Sequence, residues 1–243
     1  MFDEGTYPIP EAVTVSPNRV PVVGSVPLTR LLPYNFGGFE VVATYSSEPI
    51  THFDVQEGIA YLGLPASNRL AIIDVGGGST ELLVADDTAL RLQHSFPLGT
   101  VRWLESFPVS DPPTAAERVK LAQALDDFLD EQFTPKLGGL VLPGTLIGAG
   151  GTPVFLSRIL KERDDLAADE IESLRLSLPE VQLLTQRLWQ MPLASRRKLA
   201  GLPANRADVI LFGAAIYEAV MQRCGFGELR PTLRGVRYGA LLD

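Results

Sequence analysis

From Arg69 onward the apolar positions fall into short, dense runs broken by glycine and polar residues. "RLAIIDV" (69–75) is an unbroken apolar run of strand length, which predicts a strand buried on both faces. "STELLVAD" (79–86) alternates in part and "ALRLQHSFPLG" (89–99) follows it, so two more strands are predicted, with Asp86 and Asp87 at the turn between them. The three make an antiparallel meander. "TVRWLESF" (100–107) reads as a short helix, and residues 114–133 as a long one announced by the prolines and acidic first turn of "DPPTAAE". "GTLIGAG" (144–150) predicts another buried strand, and "GTPVFLSRILKER" (151–163) continues from it as a helix. "LPEVQLLTQRLWQM" and "ASRRKLAGL" predict two further helices, and the more apolar "ADVILFGAAIYEAVMQRC" a central one. "LRPTLRGVRYGALLD" reads as a short strand and a final helical turn. Strands followed by alternating helix and strand define an α/β unit.

The first part of the chain is less regular. Residues 1–18 carry several prolines and no sustained period, and read as an arm. "RVPVVGS" (19–25) and "FEVVATYSS" (39–47) predict strands, and "DVQEGIAYLGL" (54–64) a helix whose Val55, Ile59 and Leu62 share one face.

Composition narrows the function. A content of 46% hydrophobic residues over 243 supports a sizeable core, and a single cysteine, Cys224, lies in an amphipathic pattern that makes it a buried thiol in a protein free of disulfides. No apolar run approaches the about 18 residues of a membrane span, and the acidic, proline-bearing start does not resemble a signal peptide, so a cytoplasmic protein is expected. A net charge of −8 opposes sequence-independent nucleic-acid binding, which relies on Lys and Arg. It does not oppose small phosphate ligands, since backbone N–H groups in glycine loops hold anions without net positive charge.

Two loops offer that chemistry. A strand ending in Asp74 projects a carboxylate at the sheet's edge, and Gly76, Gly77 and Gly78 let backbone amides approach an anion closely, with Ser79 and Thr80 beside them. Asp74 suits a hydrated Mg²⁺ held against that anion, and Glu81, returning on the next strand, suits the orientation of a metal-bound or attacking water. The second loop, Gly148 to Thr152 with Gly150 and Gly151, joins a buried strand to a helix start. Neither loop has the Lys-Ser/Thr of a Walker A site or the spacing of a dinucleotide fold. His52 and His94 have no ligand spacing. Arg206 and Asp208 suit helix capping, Arg234 and Arg237 solvated or structural pairing, and Trp103 and Trp189 the core.

"IIDVGGGSTELLVAD", "PLGTVRWLESF", "IGAGGT", "NRADVILFGAAIYEAVM" and "LRGVRYGALLD", in this order and spacing, resemble the exopolyphosphatase and guanosine pentaphosphate phosphatase (Ppx/GppA) family from about Ala60 to Asp243. The resemblance implies an actin-like, ribonuclease H-like ATPase fold, with one complete lobe over 65–243 and a partial first lobe over 1–64. It implies hydrolysis of a terminal phosphoanhydride of polyphosphate or guanosine pentaphosphate with Mg²⁺, Asp74 and Glu81 as metal or water ligands, and the two glycine loops as phosphate sites. The first lobe's own acidic-glycine loop is missing from this register, and the family's catalytic glutamate falls on Gln56, with Glu57 one place along as the alternative base. Three readings stand open: a phosphatase, a phosphate, nucleotide or alarmone binder without turnover, and a shortened lobe that completes its cleft only by pairing with another chain, a homodimer being one such pairing.

Overall fold

The computed structural model describes residues 69–86 and 89–233 in full, and the backbone of three earlier strands: β1 (Glu40–Tyr45), β2 (Phe53–Gln56) and β3 (Ile59–Gly63). By internal contacts the chain divides into two units, residues 1–70, 85–91 and 234–243, and residues 71–84 and 92–233.

In the first unit β3 lies between β1 and β2, parallel to β1 and antiparallel to β2. The helix expected over 54–64 is therefore corrected to strands, with Gln56 opposite Ile59. Three apolar positions in so short a stretch fit a strand as well as a helix, and pairing of Ile59–Gly63 on both its edges decides the matter. "FEVVATYSS" is a strand as expected. The expected strand at 19–25, the arm, the Asp87 turn position, Glu57, His52, Arg234, Arg237 and the final helical turn lie outside the described residues.

The second unit is built around a six-stranded sheet of order β6-β5-β4-β7-β9-β8. β4 (Arg69–Val75), β5 (Thr80–Asp86) and β6 (Leu90–Phe96) are the predicted meander; the short β4–β5 connection allows only an antiparallel pair. Helices α1 (Thr100–Ser106) and α2 (Ala115–Phe128) follow. α2 starts on a capping box, Thr114 accepting from the Glu117 N–H while the Glu117 side chain accepts from Thr114 N–H. It widens into a π turn at Leu129–Phe133 before α3 (Thr134–Leu137). Pro135 has no N–H for the carbonyl four residues back, and the Thr134 amide reaches Leu129 O instead, so the ring is accommodated without a break.

β7 (Thr145–Ala149) then runs parallel to β4, pairing Ile72 with Ile147 and Asp74 with Ala149, and leads into α4 (Gly151–Lys161). α5 (Ala168–Ser173) and β8 (Leu176–Ser177), which carry no strong periodicity, were not expected from the sequence. α6 (Leu178–Trp189), α7 (Leu193–Arg196) and α8 (Ile210–Cys224) complete the helices, and β9 (Glu228–Pro231) joins the sheet parallel to β7. α8 is the central helix the sequence suggested: ten of its residues, from Ile210 to Met221, are buried, and it packs against α1, α2, α4 and α6. Trp103 and Trp189 are core residues. Among the described residues no helix is long and apolar enough to cross a membrane.

Candidate functional site: two loops at adjacent strand ends

β4 and β7 are neighbours and parallel, so their C-terminal ends, and the two glycine loops that follow them, lie side by side at one sheet edge. This is where open α/β sheets present ligand sites. The Asp74 carboxylate lies directly against the second loop: a Cβ on Gly150 would come within 2.7 Å of its Oδ1. Gly150 also has φ +86°, so two independent constraints require glycine there. At the first loop the hairpin closes through Gly76 N–H to Ser79 O at 2.9 Å. That bond sets 76 opposite 79, and the register it implies carries Asp74 opposite Glu81; burial agrees, with Val75 and Thr80 buried and Asp74 and Glu81 half-buried.

The loop's carbonyls are held on one side. Thr100 N–H donates to Gly76 O, Val101 and Arg102 N–H to Gly77 O, and Arg102 Nε to Gly78 O, all at 2.9 to 3.0 Å. A trans peptide points its C=O and N–H opposite ways, so these bonds turn the N–H groups of Gly77, Gly78 and Ser79 away from α1 as a set. None of the three donates to a backbone acceptor among the described residues. They form an anion-accepting concavity on an exposed stretch, since Gly77 and Gly78 are both solvent-facing. Gly99 makes this possible, because its α-carbon lies so close to the loop that a Cβ would sit 2.3 Å from Gly77 O.

The second loop opens onto α4, whose N-cap, Gly150, provides no side-chain cap, so the first-turn amides of Gly151 and Thr152 are not capped by that residue. Its carbonyls too are engaged: Gly148 O accepts from Thr232 N–H at 2.8 Å, and Ala149 O from the Tyr217 hydroxyl at 3.1 Å.

The side chains divide the labour differently from the expected pattern. Ser79 Oγ donates to Glu81 Oε1 at 2.7 Å and Ser95 Oγ to the same oxygen at 2.7 Å, which orients the carboxylate through one oxygen, with no hydrogen bond to Oε2 among the described residues. Thr80 is fully buried and its hydroxyl donates to Leu98 O, so it anchors the hairpin instead of facing a ligand. Thr152 is largely buried beside Gly213. Among the described residues no three His, Cys, Asp or Glu side chains group as a metal set. Asp74 and Glu81 alone still match the donors of Mg²⁺, which commonly takes one or two carboxylates and completes its shell with waters and phosphate oxygens.

Several other residues have local roles. Asp208 Oδ1 accepts from the adjacent Val209 N–H at 2.8 Å, but Val209 is the N-cap of α8 and the helix start has no side-chain cap, so the capping expected of Asp208 is corrected; Arg206 closes a 3₁₀ turn at Ala204–Arg206. His94 stands edge-on to Phe96. Cys224 is partly buried, and burial pushes its thiol up to about 11, opposed by Arg223, as an unreactive thiol requires. The residues that sequence reasoning missed are Gly99, Arg102, Gly213 and Tyr217. Gly213 and Tyr217, four apart on an apolar helix, share one face, but nothing in the local sequence shows what that face touches.

The profile of the Ppx/GppA phosphatase family matches residues 56–243. Over 187 residues the chain is 30% identical to a guanosine-5'-triphosphate,3'-diphosphate pyrophosphatase of Aeromonas hydrophila, covering 77% of this chain and 36% of that protein. Over 184 residues it is 32% identical to exopolyphosphatase 2 of Mycobacterium tuberculosis, covering 73% of this chain and 56% of that one. The chain therefore spans between about a third and just over half the length of these relatives. Among solved structures, a Ppx/GppA enzyme of Aquifex aeolicus superposes with a TM-score of 0.64 at 24% identity, over 72% of this chain and 56% of that one. An exopolyphosphatase of Cytophaga hutchinsonii gives 0.60 at 26% identity, over 70% and 55%. The fold is the actin-like ATPase fold expected from the sequence. By this match, which takes in both glycine loops and their strands, the chain belongs to the Ppx/GppA phosphatase family.

Proposed function

We propose that this chain carries the phosphate-binding half of a phosphohydrolase that removes the terminal phosphoryl group of inorganic polyphosphate or guanosine pentaphosphate, in a cytoplasmic setting. The observation that carries the reading is the approach of the Asp74 carboxylate to the Gly150 turn, with the outward amides of Gly77 to Ser79 on the neighbouring loop. Residues 1–64 are taken as a partial first lobe and 65–243 as the complete one.

In-line attack by water requires charge stabilisation on the phosphoryl oxygens and a group that orients the water. The amides of Gly77, Gly78 and Ser79 and those at the start of α4 serve the first need, and Glu81, fixed by Ser79 and Ser95, the second. Asp74 and Glu81 would hold Mg²⁺, which when bound neutralises phosphate charge. The proton acceptor falls on Gln56 or Glu57 by the family resemblance. An amide does not accept a proton, so Gln56 in that position favours a second reading, ligand binding with slow or no turnover. A second copy of the chain is proposed as the partner that covers the open loop; sedimentation showing monomer only, with and without ligand, rejects it.

Phosphate release from long-chain polyphosphate and from guanosine pentaphosphate in Mg²⁺ tests the reading. Asp74→Asn is expected to lower the rate by about 10²–10³, the range for removing a charge-stabilising group. Gln56→Glu is expected to raise it by about 10²–10⁴ if that position takes the proton. Wild-type release no faster than that of Asp74→Asn, alongside measurable ligand binding, selects the binding protein.

A further inference from the structure

β4 and β7 keep register through Asp74 and Ala149, and beyond that pair they separate: one chain turns into Gly76–Ser79, the other into Gly150 and α4. Tyr217 of α8, wholly buried, stands at this point of separation. Its hydroxyl donates to Ala149 O at 3.1 Å, and Ala149 is the β7 residue that pairs with Asp74 of β4. One turn earlier on the same helix face, Gly213 is so close to Thr152, the second residue of α4, that a Cβ there would lie 2.5 Å from Thr152 Oγ1. One face of α8 thus meets both loop bases, with a hydroxyl at one and a missing side chain at the other.

A buried tyrosine commonly gives its hydroxyl a carbonyl partner for packing reasons alone. Here the partner is the last residue of β7, itself paired in register with Asp74 of β4, so the hydroxyl anchors the paired strand ends from which the loops spring. We infer that this face of α8 is a spacer between the two loops, and that Tyr217 is a positioning residue which holds the Asp74 strand end and the Gly150 turn at the separation a phosphate chain bridging both loops requires. The ligand half of this inference rests on the proposed function; the spacer half does not.

Tyr217→Phe removes only the hydroxyl, leaving the ring in place and Ala149 O without its donor. Two measurements read the result: amide hydrogen exchange along the chain, and calorimetric binding of inorganic tripolyphosphate with Mg²⁺. Faster exchange is expected in residues 74–80 and 149–153, with α2 and α6 unchanged, and tripolyphosphate affinity is expected to fall about tenfold, as loss of one hydrogen bond allows. Exchange unchanged in the two segments, or raised equally throughout, overturns the spacer. Looser loops with undiminished affinity overturn the positioning role. Local loosening in a protein whose wild type binds no tripolyphosphate keeps the spacer and removes the phosphate reading. If Tyr217→Phe does not fold, Gly213→Ala tests the same face: it must displace Thr152, and unchanged exchange at 149–153 counts against the proposal.

Discussion

Gly99 controls the shape of the first loop more directly than any residue within it. Its backbone dihedrals are ordinary for an extended residue, so the demand for glycine comes from proximity alone: the added carbon of Gly99→Ala would meet backbone atoms of Gly77 and Gly78 at 2.3 to 2.5 Å. Backbone cannot swing aside as a flexible side chain can. The substitution must separate α1 from the loop and break the bonds from Thr100, Val101 and Arg102 that turn the loop amides outward. Gly99→Ala is expected to weaken binding of tripolyphosphate by at least about tenfold, since several of those bonds go together and each is worth about 0.5–1.5 kcal/mol. The control is Gly225→Ala at the C-terminal end of α8, where φ is +72° and an added Cβ meets nothing within 4 Å. It should cost stability and leave affinity unchanged. Equal affinity in Gly99→Ala and wild type, measured by calorimetry, contradicts the cradle.

At the scale of elements, α2 begins on a motif strong enough to titrate. Glu117 is held down to about 2 by the Thr114 backbone N–H first, then by the Ser110 side chain and backbone. A carboxylate whose folded value is depressed stabilises the fold above its ordinary value of 4.5, and that contribution is lost as pH falls from about 4.5 toward about 2. Glu117→Gln is expected to flatten the acid side of the stability profile, read as urea midpoints at pH 7 and pH 3. Thr114→Ala is expected to cost about 1 kcal/mol at pH 7, as loss of an N-cap does. An acid slope identical in Glu117→Gln and wild type would show that the box does not hold in solution. The "DPPTAAE" signal made this helix start legible, and the apolar runs made β4 and β7 legible, because burial and capping leave local marks on a sequence. Residues 54–64 misled because a short apolar set suits two periods and distant pairing chose between them. The candidate carboxylates and glycines were visible as a pattern, whereas Tyr217 and Gly99 were not. Their importance lies in what α8 and α1 touch, and neither contact has a local signature.

For the whole molecule, charge poses the sharpest question. A chain of net charge −8 is proposed to bind a polyanion through backbone amides and a divalent cation, without a basic surface. Proteins that neutralise phosphates with Lys and Arg release counterions on binding, and with 6–10 such contacts lose about 10³–10⁵ in affinity between 50 and 200 mM salt. The mode proposed here releases few, because neutral amides bring no net charge to replace the counterions around the phosphates, and the long-range force between protein and ligand is repulsive. Added salt screens that repulsion over about 10 Å at 0.1 M. Two opposing dependences follow. Affinity for tripolyphosphate should change by less than about tenfold between 50 and 200 mM KCl at fixed free Mg²⁺, far below the counterion-release range. Chelating the divalent cation at constant ionic strength should abolish binding, because nothing then offsets the charge of Asp74 and Glu81 facing the ligand. Calorimetric titrations across the salt series, with and without chelator, separate the cases. A steep loss with KCl that survives chelation would assign the phosphate chain to an arginine or lysine surface and remove the two loops from the account.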